Sequence, residues 1–399
     1  MSTTTLQLSA LDTLFFRESR PFDSIGGTEL VSVFPPPPRT ILGAVRTAIG
    51  DALGADWRRF QVEKENYILD NGQKLSEIIG YGDALGRLVL RDIWLSLDAQ
   101  RLYPAPRFLL QKKGQPEVSK DTLGLLQLGN AVKTHLGKVR LFETPGKEKG
   151  YRTLENVWLT QAGLEKVLQG ALPDPKDIFK AEKLYTEESR LGIARDNNTR
   201  TAENSLLYQT SHIRPKEALA IEVDIDGLDD VGPLIENRIV RFGGEGRMAR
   251  ISSIKASDLP HQPGTQEGEE RGLILLLLTA SRFKNEYGNW LPTGFKPAKR
   301  DGIDVWQGAI KGIPLTLHAL AQGKAQREGG WNMIEHKSRP VQSLIPSGSS
   351  YYCTLNEGSL SEAITALHGT QIGEDQVLGR GKIVCGLWNL NEALRNTSG

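Results

Sequence analysis

An unbroken apolar run, LILLLLTA at residues 273–280, stands out in the second half of the chain. It is far shorter than the roughly 20 residues a membrane-spanning helix needs, so it reads as a buried strand around which a sheet must be built. Other strand signals surround it. In the opening TLQLSALDTLFF, Leu6, Leu8 and Ala10 alternate at period two, then the pattern breaks near Leu11 and runs on to Phe16. GRLVLRDIWLSLDAQRLYPAPRFLLQKK reads as strands with turns at Gly86 and around Pro104 and Pro106. SLLYQTSHIRP, EALAIEVDIDG, RFGGEGRMARI, IPLTLHAL, VQSLIPSGSSYYCTL and VLGRGKIVCGLW continue the series.

Helix signals are fewer. Ile41, Val45, Ile49 and Leu53 recur at four-residue spacing, with Thr40 as the expected N-cap and Gly54 as the stop. Just before them, Pro35–Pro38 predict a polyproline II rod of roughly 12 Å. WLTQAGLEKVLQG gives a short helix between Thr160 and Gly170. SLSEAITALHG carries a Ser359/Glu362 capping box and ends at Gly369. Residues 173–204 are polar with little periodicity and are expected to form a long inserted loop or domain junction. Several strands and few helices in each half predict an α+β fold. A chain of 399 residues suggests two domains, expected at 1–204 and 205–399.

The formal net charge is +1, against a protein that binds nucleic acid through bulk charge alone, although a local basic stripe fits inside a neutral total. Residues 101–152 are such a stripe, with eleven Lys and Arg against four Asp and Glu. Cys353 and Cys385 are the only cysteines and are expected to be buried thiols of a reducing, cytoplasmic setting; no secretory leader is apparent. The six histidines lack HExxH, HxH or carboxylate partners at ligand spacing, so no metal is expected. No Walker sequence or GxSxG elbow is present, and no cofactor or small-molecule substrate is expected. His212, in YQTSHIRP, is the one histidine that could serve as an acid or base beside RNA; a polar strand residue with no chemistry is the blander reading.

What recurs is glycine beside arginine or lysine. RFGGEGRMAR, with Gly243, Gly244 and Arg247, and LGRGK, with Gly379, Arg380, Gly381 and Lys382, can turn backbone N–H groups toward an anion or simply close tight hairpins. FFRESRPF presents Arg17, Ser19 and Arg20 at a strand end, and Arg39, Thr40 and Arg46 follow the prolines. Arg195, Asn198 and Arg200, in SRLGIARDNNTRTAENS, suit phosphate, sugar and base edges, or a solvated loop.

FFRESRPF, PPPPRTILGAVRTAIG, WLTQAGLEKVLQG, LGIARDNNTRTAENSLLYQTSHIRP, RFGGEGRMAR, GWNMIEHKSRPVQSLIPSGSSYYC and VLGRGKIVCGLW follow one another between residues 15 and 388. In that order they resemble the third-subunit family of the type III-B CRISPR effector (Cmr) complex, within the RAMP superfamily. The resemblance implies two ferredoxin-like, RRM-related domains with long inserted loops and a C-terminal glycine-rich loop, here Gly379–Lys382. It implies a noncatalytic RNA-binding subunit that caps the 5′ tag of the CRISPR RNA and docks the large palm-domain subunit and the first backbone subunit. No strand carries the alternating aromatic residues with which RRM sheets stack bases, so recognition is expected on loops. The competing reading is a metal-independent RAMP endoribonuclease. Members with that activity use a histidine near the start of the chain, whereas the first one here is His135.

Overall fold

The alternation at the start of the chain builds the first strand of the computed structural model, which describes residues 2–18, 29–115, 117–135, 137–195, 202–266, 271–332 and 334–390. Strand β1, Thr3–Ala10, turns Leu6 and Leu8 into one core while Thr5 faces the other way. Helix α1, Pro38–Ala52, covers that core with Ile41, Val45 and Ile49. Strand β2 is Val89–Leu97, β3 is Leu219–Asp226 and β4 is Met248–Ile254. They pair antiparallel in the order β2-β3-β1-β4 at the heart of an eight-stranded sheet. Residues 100–104, 157–160 and 178–180 extend one edge and 239–241 the other.

The apolar run forms β5, Arg271–Leu277, in a second, six-stranded sheet. Strand β6 is Ile313–Ala321, β7 is Ser350–Leu355, helix α2 is Leu360–Leu367 and β8 is Ile383–Asn389. The order β6-β7-β5-β8, again antiparallel, repeats that of the first sheet. The run is unbroken because both faces are covered. Leu273, Leu275 and Leu277 pack toward α2, whereas Ile274, Leu276 and Leu278 join the core around Leu164, Val167 and Leu168 of the 161–168 helix. Burying a leucine there removes enough apolar surface for about 2 kcal/mol per side chain.

Cap signals at two helices hold. Thr160 accepts from the Gly163 N–H at 3.1 Å, and Ser359 and Glu362 form both bonds of their capping box. At α1 the sequence expectation is corrected. The helix starts at Pro38 with Pro37 as N-cap and no side-chain cap, because proline at the first helical position has no N–H to satisfy. Thr40 therefore lies inside the first turn, and Pro38, expected to end the proline rod, belongs to the helix.

Two larger expectations also change. The 204/205 division cuts the first sheet: β3 and β4 return to pair with β1, and sheet membership passes to the second module only after Ile254. The described residues of 173–204 are largely ordered into elements rather than one loop: Tyr185–Arg195 pairs antiparallel with Ala202–Pro215, joined by Glu29–Val31 in parallel. Among the described residues no helix is long and apolar enough to cross a membrane.

Candidate nucleic-acid interface

The strand-end motif and the first glycine loop are built as one unit. Phe15 and Phe16 are buried, and Phe16 meets Phe242 edge-on with ring centroids 5.0 Å apart. Gly244 N–H donates to the Phe15 carbonyl at 2.8 Å, and a Cβ on Gly243, whose φ is +92°, would stand 2.4 Å from that same oxygen. The glycines thus serve close backbone approach. Arg247 is held by Asp12 Oδ2 at 3.1 Å within a surface network that also joins Arg190, Arg214 and Glu188. Arg17 is exposed, and its backbone bridges to Ser32. Ser19 and Arg20 lie outside the described residues.

His212 is 1% exposed, with Nδ1 3.1 Å from Thr13 Oγ1 and Phe15 stacked on the ring at 5.1 Å. Burial, then the nearby Arg190 and Arg247, lowers its pKa and favours the neutral ring. A general base must reach the proton it takes, and this ring is buried against Thr13 and Phe15 of the segment that follows β1.

The face of the first sheet opposite α1, which an RRM would offer to RNA, carries charge and is closed. β3 alternates Ile221, Val223 and Ile225 on the core side with Glu222, Asp224 and Asp226 on the other. Arg101 is buried between Glu222 at 2.7 Å and Asp224 at 2.8 Å, and Thr5 Oγ1 donates to Asp224 at 2.6 Å. The segment after β4 lies over this face: Arg101 donates to the Ser257 carbonyl and the Tyr103 hydroxyl to that of Asp258.

The C-terminal glycine loop reaches the same sheet from the second module. Gly379 and Gly381 have φ of +70° and +72°, and a Cβ on Gly381 would stand 1.8 Å from the Ile372 carbonyl oxygen. Its cations turn inward. Lys382 Nζ lies 3.0 Å from Asp92 of β2, and Arg380 is buried against Glu328. Burial pushes the Asp92 carboxyl up to about 6 even though Lys382 pulls the other way.

Between this loop, the prolines and the first sheet opens a cleft of about 340 Å³. Phe34, Pro35, Pro36 and Pro38 line one side, Leu95, Pro104 and Trp158 the floor, and Lys324, Gln326, Gly379 and Arg380 come from the second module. Arg107 lines it too. Arg107 and Arg380 each keep a buried Nε–H with no acceptor among the described residues.

Arg39 and Arg46 of α1 meet at the GYGDALG loop, where Arg39 Nη1 is 3.3 Å from Asp83 Oδ1 and Arg46 Nη1 donates to the Gly82 carbonyl at 3.4 Å. Arg339, from the second module, joins the same Asp83 oxygen at 2.7 Å. Sequence reasoning misses Arg339, Asp83, Arg107 and Lys324. The one linear hint is the alternating glycine around Asp83, which places a carboxylate on a tight loop.

The remaining site residues stay apart. Arg195 ends the strand Tyr185–Arg195, far in sequence from the cleft residues, and Asn198 and Arg200 lie outside the described residues. Much of the 101–152 charge is spent internally: Arg101 and Arg140 are buried, Lys112 pairs with Glu148 and Lys120 with Asp174. No group of three or more His, Cys, Asp and Glu able to hold a metal occurs among the described residues.

Comparison with known proteins adds three findings. The family model described as CRISPR-associated protein (Cas_Cmr3) matches residues 6–388. The CRISPR system CMR subunit Cmr3 of Saccharolobus solfataricus is 32% identical over 75 residues, 19% of this chain, and the match spans only 24% of that relative's length. Among solved structures, a chain of the type III-B Cmr-β complex bound to cognate target RNA and AMPPNP aligns with a TM-score of 0.46 at 17% identity, covering 87% of this chain and 86% of that one. A chain of the type III-A Csm3–Csm4 subcomplex aligns at 0.33 and 11%, covering 88% and 93%. The family match, which runs over nearly the whole chain, carries the assignment: this protein belongs to the Cmr3 family of CRISPR-associated proteins.

Proposed function

We propose that the chain is a noncatalytic RNA-binding subunit of a type III-B CRISPR effector that holds the 5′ tag of the CRISPR RNA in the cleft between its two modules. The observation that carries this is a cleft between the two modules lined by three cations, Arg107, Lys324 and Arg380, beside prolines and Trp158. Guanidinium donors suit phosphate and base oxygens, and the apolar walls suit a base face. Family membership supports RNA as the occupant.

On this reading both modules are ferredoxin-like, each keeping one of the two helices of that fold. Their shared 2-3-1-4 strand order supports it, with α1 after the first strand of one sheet and α2 before the last strand of the other. Because Arg380 and Lys382 are tied to Glu328 and Asp92, the glycine loop shapes the cleft, Lys324 and Arg107 make the direct contacts in it, and the FFRESRPF arginines Arg17 and Arg20 add to them. The outer surfaces would dock the large palm-domain subunit and the first backbone subunit, in the cytoplasm. The test is a reconstituted complex loaded with tagged guide or with guide carrying a scrambled tag. Arg20→Ala, Arg107→Gln and Lys324→Ala are expected to weaken retention of the tagged guide more. Equal losses would reduce the contacts to backbone electrostatics, since phosphates carry no sequence information.

A further inference from the structure

The small hairpin that delivers Arg339 carries a second feature that the cleft does not use. Trp331–Asn332 pairs with Lys337–Ser338, and the Arg339 N–H closes the ladder on the Gly330 carbonyl at 2.8 Å. Trp331, one residue beyond Gly330, is 55% exposed, and burying an indole is worth far more than leaving it in water. The hairpin is pinned to the first module, since Ile334 reaches Gly82 and Arg339 reaches Asp83. Its tryptophan is therefore presented from a fixed platform.

Arg39 and Arg339 both pair with the exposed Asp83 carboxylate, and Arg46 donates to the neighbouring Gly82 carbonyl. Three guanidiniums thus meet on one short loop that offers them a single carboxylate. Desolvation and then the neighbouring Arg39 lower the Arg46 pKa, the direction expected where cations crowd together. Three guanidiniums carry far more N–H donors than one carboxylate and one carbonyl can accept, and a phosphate would accept several at once.

We propose that Arg39, Arg46, Arg339 and Trp331 form a nucleotide subsite for single-stranded RNA, with a phosphate on the guanidiniums and the adjoining base stacked on the indole. The subsite rests on the RNA-binding reading above and adds a contact outside the cleft. It takes any base, because stacking on an indole uses the π-face common to all of them.

The test is equilibrium binding of the full chain to a short single-stranded oligoribonucleotide and to an abasic ribose-phosphate oligomer of equal length. Trp331→Ala is expected to weaken the base-bearing oligomer roughly tenfold and leave the abasic one unchanged, with Trp331→Phe restoring binding. Arg39→Ala/Arg339→Ala is expected to weaken both and to flatten the slope of log affinity against log salt by about 0.7 for each phosphate no longer neutralised, while the double lysine variant keeps most of the slope. RNA binding by the wild-type chain that survives both the tryptophan and the arginine variants overturns the subsite but leaves the proposed function standing. No RNA binding by the wild-type chain overturns both. A Trp331→Ala chain that binds RNA normally but dissociates from the assembled effector would assign the patch to a protein neighbour and overturn the subsite.

Discussion

Lys382→Met isolates the contact that ties the glycine loop to the first sheet. Lys382 and Asp92 are 8% and 6% exposed and 3.0 Å apart, so the substitution leaves a buried carboxylate without its counter-charge. Removing one member of such a pair typically costs about 3–5 kcal/mol. The acid itself shows how tight the balance is. Its pKa stands at about 6 rather than 3.8 with Lys382 present, which corresponds to roughly 3 kcal/mol by which the charged form is already disfavoured in the fold. The sign follows from the raised value. Asp92 favours folding fully below its unfolded pKa, and that contribution disappears as pH rises through about 6. In the Lys382→Met chain the carboxyl rises further, so the destabilisation is expected to be large at pH near 7 and to shrink as acid supplies the proton that replaces Lys382. Urea unfolding followed by tryptophan fluorescence at neutral and at acid pH reads this, with Asp92→Asn/Lys382→Met expected to recover most of the stability. An equal destabilisation at both pH values, or a double variant that merely sums the singles, would refute the reasoning.

Other substitutions probe separate links. Leu275→Ala, at a fully buried position of β5, is expected to cost about 2–5 kcal/mol in chemical denaturation. Gly381→Ala would set a Cβ 1.8 Å from a carbonyl oxygen at positive φ and is expected to destabilise more than Gly302→Ala, whose Cβ meets nothing, in the same assay. His318, buried and held down to about 4, should show no titration by NMR above pH about 5.5. RNA incubated with the wild-type chain in EDTA should stay intact. Site-specific cleavage that disappears in His212→Gln would contradict the proposed noncatalytic role.

Local signals are legible because their causes are local. The continuous apolar run of β5 follows from two covered faces, and the Ser359/Glu362 box and the Thr160 cap each satisfy orphan amides within a single turn. FFRESRPF and RFGGEGRMAR read as separate motifs. Nothing linear says that the glycines of one make room for the phenylalanines of the other. The return of β3 and β4 to β1 is a pairing over more than two hundred residues, invisible to periodicity. The 185–195 and 202–215 strands lack a clean alternation because only part of them packs: Leu191 and Ile193 are exposed, whereas Thr210, Ser211 and His212 are buried polar residues. Charge misleads most. Arg380 and Lys382 look like ligands for RNA in the linear chain, but their partners, Glu328 and Asp92, arrive from distant strands.

A crosslinking map of the assembled effector, with a photoreactive nucleotide at the 5′ end of the guide, tests the central claim most directly. The account predicts crosslinked peptides that contain residues 33–38 and 324–326, on two sides of the cleft, and a disappearance of those crosslinks in Lys324→Ala. Crosslinks confined to other subunits, or to surfaces of this chain away from the cleft, would contradict it.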